Sequence, residues 1–119
     1  MTKPPSREWR ETDTGIHSVW RKVFNADWSS SEVDGPCPVC SAPTLHRWYW
    51  LESEGGAIVG GRTYLGRGRL WEWCSTCCTF EYYPDGYVPD WWTAPYSVDA
   101  DRLQYDPEPI ENSRSSLKD

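Results

Sequence analysis

Two four-residue stretches decide how this chain folds: Cys37-Pro38-Val39-Cys40 and Cys74-Ser75-Thr76-Cys77, separated by 33 residues of strand-like sequence. Two residues between cysteines let a tight turn aim both sulfurs at one point, and two such turns complete a tetrahedral four-thiolate shell. The doubled pair predicts one structural Zn2+ held by Cys37, Cys40, Cys74 and Cys77. A closed shell of this kind leaves no open coordination position for chemistry. Cys78 is the spare among 5 cysteines and an alternative to Cys77, but the Cys-x-x-Cys register favours Cys77. His46, six positions after Cys40, is a substitute ligand should one cysteine not bind, and otherwise a strand residue bonded to its neighbours. A thiol redox pair would instead open a helix in a βαβ unit, whereas here a strand precedes Cys74 and β-rich sequence follows it.

Outward from the first pair, Leu45 to Glu52 alternates as a strand, with Leu45, Arg47, Tyr49 and Leu51 on one face and His46, Trp48, Trp50 and Glu52 on the other. Both faces carry rings, so neither is plainly solvent. Six glycines between residues 53 and 69 are expected to break that stretch into turns around short strands at 57–59 and 62–65. Leu70 to Trp73 re-enters as a strand, and Thr79 to Tyr83 forms another, stopped by Pro84-Asp85-Gly86. Trp91 and Trp92 then lie on a proline-bounded segment expected to wrap back over the core. Towards the N-terminus, Ile16, Val19, Trp20, Val23 and Phe24 follow the spacing of a helix with one apolar face, over about residues 14–25, with Thr12, Asp13 and Thr14 as candidate caps. Trp9 and Trp28 flank it.

These limits describe one domain. Residues 1–8 read as a flexible lead-in, 9–105 as a single zinc-stapled domain, and 106–119, polar and proline-bearing, as a disordered tail. The core must be built from rings, since Trp contributes 9 residues and Tyr 7 against a single Met. No apolar leader or membrane-length run is present, so the expected location is cytoplasmic, where paired cysteines are more often metal ligands than disulfides.

The order of cysteine turn, strands, cysteine turn and strand over residues 37–83 resembles the zinc-ribbon superfamily. That resemblance implies a small β-rich α+β fold: a zinc-ribbon-like antiparallel sheet, here with one N-terminal helix. Ribbon knuckles often place glycine directly after the second cysteine; here those places hold Ser41 and Cys78.

The net charge is −6, and residues 31–90 alone carry −4. A cationic face is what displaces counterions from phosphate, so this balance disfavours general nucleic-acid binding and favours a basic protein partner. Only 2 histidines are present, with no nucleophile elbow or HExxH, so no enzyme is expected. An acidic, ring-rich domain suits a non-enzymatic protein that binds a protein partner, in outline similar to bacterial immunity proteins that inhibit a basic toxin or nuclease. The alternative is a nucleic-acid-associated ribbon of the transcription or ribosome type, gripping phosphate and base through Arg62, Tyr64, Arg67 and Arg69. Tyr64 and the pair Trp91–Trp92 complete the candidate partner-binding residues.

Overall fold

The computed structural model describes residues 8–26 and 31–116, so Trp28 and nearly all of the expected lead-in lie outside the described residues. In chain order come β1 (Arg10–Glu11), α1 (Thr14–Ala26), β2 (Glu32–Val33), β3 (Leu45–Val59), β4 (Arg62–Cys74), β5 (Thr79–Pro89), a 3-10 turn (Ala100–Arg102) and α2 (Glu108–Ser116). The strands form one curled sheet in the order β1-β5-β4-β3-β2. It is mixed rather than purely antiparallel, because β1 runs parallel to β5 while every other pair is antiparallel. Among the described residues no helix is long and apolar enough to cross a membrane.

The glycine-rich stretch does not dissolve into turns. Only Gly60 and Gly61, both with positive φ, form the two-residue reversal that joins β3 to β4, the backbone that such hairpins demand. The other glycines lie within the strands. At Gly66 an added Cβ would stand 1.9 Å from the Ser53 carbonyl oxygen, and at Gly68 1.9 Å from that of Trp50. Bulges between Leu51 and Ser53 and between Glu54 and Ala57 add local twist, and these two glycines admit the resulting close approach of backbones. β5 likewise runs through Pro84-Asp85-Gly86 instead of stopping there. A register shift separates the Leu70–Tyr83 and Gly68–Gly86 pairs, and the proline falls in that irregularity, where no ladder bond is lost.

The two faces predicted for β3 are both buried, under different covers. On one, α1 lays Trp20 and Phe24 against Val33, Leu45, Cys37 and Cys74. Asp13 is the cap: its side chain accepts the Ile16 N–H at 2.9 Å and its carbonyl the His17 N–H at 3.0 Å. At the other end Arg47 donates to the Phe24 carbonyl and lies over the Phe24 ring, placing a cation at the negative helix terminus. Val19, counted in the apolar stripe, is left exposed at its margin.

On the opposite face Trp48, Trp71, Trp73 and Phe80 form a sheet of rings. Residues 91–116 cover it, and the last of these form a second helix where a disordered tail was expected. Asp106 accepts the Glu108 N–H and starts α2, just after Pro107. Ile110, the one large apolar residue of that helix, is completely buried in the ring cluster. Buried indoles need acceptors, and the C-terminal segment supplies them to three, while Trp48 Nε1 on the same face has none among the described residues. Trp71 Nε1 donates to the Gln104 carbonyl at 3.0 Å, Trp73 Nε1 to Glu111 at 2.9 Å, and Trp9 Nε1 to Glu108.

Two outcomes follow from these contacts. Gly68→Ala forces β3 and β4 apart and is expected to cost about 3 kcal/mol or more in a chemical melt, the scale of an overpacked backbone contact. Glu111 is buried, yet hydrogen bonds from Arg114, Trp73 and Ser75 outweigh that burial and hold its carboxyl down at about 2 rather than 4.5. A carboxylate depressed in the folded state stabilises above its unfolded value and loses that contribution as pH falls through the folded one. Acid titration should therefore weaken the protein between 4.5 and about 2, and Glu111→Gln should flatten that part of the profile.

Candidate metal centre

Each Cys-x-x-Cys turn closes the same way. The Ser41 N–H bonds the Cys37 carbonyl at 2.8 Å, and the Cys78 N–H bonds the Cys74 carbonyl at 3.0 Å. Ser41 and Cys78 both take positive φ, 67° and 58°. The left-handed backbone expected of glycine is thus present with L residues, at a cost of about 1 kcal/mol or more each. The turns are tied to each other by Ser75 N–H to the Thr44 carbonyl at 3.0 Å and by Thr44 and Thr76 hydroxyls 2.7 Å apart. The register Leu45↔Cys74 makes these two turns the open end of the β3–β4 hairpin.

The outcome is that the four sulfurs of Cys37, Cys40, Cys74 and Cys77 all lie within 4.8 Å of one another. Cys37 Sγ is 3.8 Å from Cys77 Sγ, and Cys40 Sγ is 3.7 Å from Cys74 Sγ. A tetrahedron with metal–sulfur bonds of about 2.3 Å has edges of about 3.8 Å, so the spacing fits a single ion. The set is four cysteines. His46 is directed elsewhere, with Nδ1 bonded to Glu32 and its ring beside Trp73. Cys78 contributes backbone, its carbonyl accepting the Arg10 N–H at 2.9 Å and so starting the parallel β1–β5 pair.

The surroundings both resist and assist ionisation. Burial pushes the Cys37 thiol up to about 12 and raises Cys40 as well. Burial also opposes ionisation of Cys74, but hydrogen bonds from Thr44 Oγ1 and from the Cys77 and Thr76 N–H groups outweigh it and lower that thiol. The Val39 N–H points at Cys37 Sγ at 3.4 Å. Cys74 and Cys37 are also core residues packed against α1, so the ion-binding geometry is continuous with the helical face.

The remaining candidates lie away from the cysteines. Trp92 packs edge-on against Trp48 and Tyr49, and Trp91 against Tyr49, both half-buried, so the pair is chiefly cover for the core. Arg67 makes a two-pronged pair with Asp85, at 3.0 and 2.7 Å, and lies over Tyr87. Arg69 stands 3.8 Å from Glu52 and over the Trp71 ring. Tyr64 is half-buried against Tyr87, and Arg62 begins β4 beside it.

One group of side chains was not singled out in the sequence. Arg47, Glu72 and Glu81 are cross-strand neighbours on β3, β4 and β5, all at least nine-tenths buried beneath α1. Glu81 is held by Thr12, His17 and Tyr83. Glu72 receives no hydrogen bond or ion pair from any described residue, and burial pushes its carboxyl up to about 8 in spite of Arg47. A carboxylate between two tryptophans, Trp71-Glu72-Trp73, in a strand ringed on both faces was the available signal. Compared with family models, curated proteins and solved structures, the chain finds no match.

Because the thiols must lose protons to bind an ion, metal affinity is expected to fall as pH falls. Acidification or a strong chelator should release the ion and disorder both knuckles together with the α1 core, read by tryptophan fluorescence of Trp20. Cys74→Ser should do the same, whereas Cys78→Ser should leave metal content unchanged.

Proposed function

We propose that the chain is a non-enzymatic, zinc-ribbon-like protein whose structural Zn2+ braces a projecting hairpin, and that this hairpin binds a basic protein partner. The observation that carries the reading is the far end of β3–β4. Ile58 is 78% exposed there, joined by exposed Val59, Leu65 and Tyr87. The molecule is elongated, 46 Å in its longest dimension against 25 Å in its shortest. Large apolar side chains at an exposed strand end are what partner interfaces use, and Glu54, paired with Gly66, and Asp90, bonded to Thr63, place carboxylates beside them that favour a basic counterpart. An immunity-type inhibitor of a basic toxin or nuclease is one protein of this description.

Four thiolates in a closed tetrahedron suit Zn2+ or a single iron, and the zinc reading rests on a structural role that needs no redox change. The arginines at positions 67 and 69 each face a carboxylate, which leaves the stretch 60–69 a weaker phosphate grip than its sequence suggests. The same balance supports a protein partner over nucleic acid.

Affinity capture from the source cells with the full chain tests this. The expected result is one basic protein at near equal stoichiometry, one colourless zinc ion per chain, and loss of capture in Ile58→Asp with metal retained. Recovery of RNA or DNA with a steep salt dependence, abolished when Arg62, Arg67 and Arg69 are replaced by Ala, would overturn it in favour of a nucleic-acid-associated ribbon.

A further inference from the structure

Between α1 and the β4–β5 half of the sheet lies a cleft of about 260 Å³, with Glu72 at its floor. Its walls include Tyr49, Tyr64 and Tyr83, while Arg21 stands at the mouth over the Tyr83 ring, 5.1 Å from its centroid. Glu72 is 5% exposed and directed into this space, and no described residue donates to its carboxylate. Its neighbour Glu81, one strand away, has three donors. A buried carboxyl without donors is costly, and a ligand that brings donors recovers that cost.

We propose that this cleft receives the guanidinium of an arginine side chain presented by the protein partner, with Glu72 as its counter-ion and the tyrosine rings as its walls. The inference rests on the reading of the chain as a binder of a basic protein and names the site of recognition. A guanidinium is planar, weakly hydrated, forks onto a carboxylate with parallel N–H bonds and stacks on aromatic faces, which matches both floor and walls. An ammonium would fill the same space without the fork.

Charge also constrains the ligand. The groups facing Glu72 or lining its cleft are Arg47 and Tyr49 from β3, Arg62 and Tyr64 from β4 itself, Glu81, Tyr83, Asp85 and Tyr87 from β5, and Arg21 from α1. Burial holds Tyr49 and Tyr83 protonated, above their ordinary values, so neither supplies a charge near neutral pH. Without a ligand Glu72 keeps its proton until about 8. Entry of a guanidinium ionises it and releases that proton, so affinity should rise with pH across that value. A neutral N–H donor gains nothing from this step.

The test is a titration of the zinc-loaded full chain with acetyl-Gly-Arg-Gly-amide, followed by amide chemical shifts, beside the citrulline peptide, a neutral isostere. For a single side chain we expect a Kd on the order of 1 mM with shifts at Tyr49, Tyr64 and Glu72, and the citrulline peptide at least about tenfold weaker. Affinity should increase about tenfold between roughly pH 7 and pH 9, following the ionisation of one carboxyl. Glu72→Gln should abolish the preference for arginine over citrulline with the metal retained. If that variant loses its metal, Tyr64→Ala and the citrulline comparison decide. Equal binding of the two peptides, absence of shifts in the cleft, or tight binding of guanosine monophosphate there instead would overturn the proposal. If partner capture by the Ile58 surface persisted, only the cleft would be lost and the proposed function would stand.

Discussion

The sulfur cluster at the open end of the β3–β4 hairpin is the constraint on which the remaining structure depends. It joins a turn before β3 to a turn after β4, 33 residues apart in sequence, and holds the Leu45↔Cys74 pair in register. β5 flanks the hairpin as far as the Tyr64↔Pro89 pair, but the hairpin tip and the edge of β3 beyond His46 have little apolar area to offset their ordering. An ion held by the four sulfurs, binding only the folded geometry, would stabilise that end. The same turns feed both covers of the sheet: Cys37 and Cys74 are walls of the α1 core, and the backbone of Cys78 starts the β1–β5 pair.

From that end the sheet is asymmetric in what it buries. The ring face is apolar, but each tryptophan brings a donor, so its cover had to be a segment with acceptors rather than a greasy helix. Residues 104–111 meet that need with a carbonyl and a carboxylate, and Ile110 fills the remaining gap. The other face carries charge across the middle of the sheet, where Arg47, Glu72 and Glu81 lie side by side. Arg47 serves the end of α1 and Glu81 is held by Thr12, His17 and Tyr83, so Glu72 is the one carboxyl of this row without donors among the described residues.

These features share a direction. The cysteine end has Cys37 and Cys74 buried and Cys40 and Cys77 half-buried, the cleft opens beside the middle of β4, and the exposed apolar arm lies furthest from the sulfurs. Stability concentrated at one end lets the other expose Ile58 and Val59 without loss of the fold. Asp85 and Glu52 neutralise Arg67 and Arg69, so these arginines of the arm do not present an uncompensated cationic surface there.

The clustering of the four cysteines, the helix on residues 14–26 and the two-faced character of β3 were legible in the chain by itself, because each depends on spacing: two residues between cysteines, a stripe at helical period, alternation along a strand. Four other features required the tertiary structure. Glycines 66 and 68 read as turn signals, yet they serve as gaps for a neighbouring carbonyl, and a close approach leaves no trace in the local pattern. Pro84-Asp85-Gly86 reads as a stop, but cross-strand pairs on either side carry β5 through it. Residues 108–116 read as tail because their composition is polar, while their order comes from Ile110, Glu111 and the distant indole of Trp73. Glu72 looks like any strand carboxylate until the strands on both sides and α1 above remove its water, and burial is a property of neighbours that no residue specifies for itself.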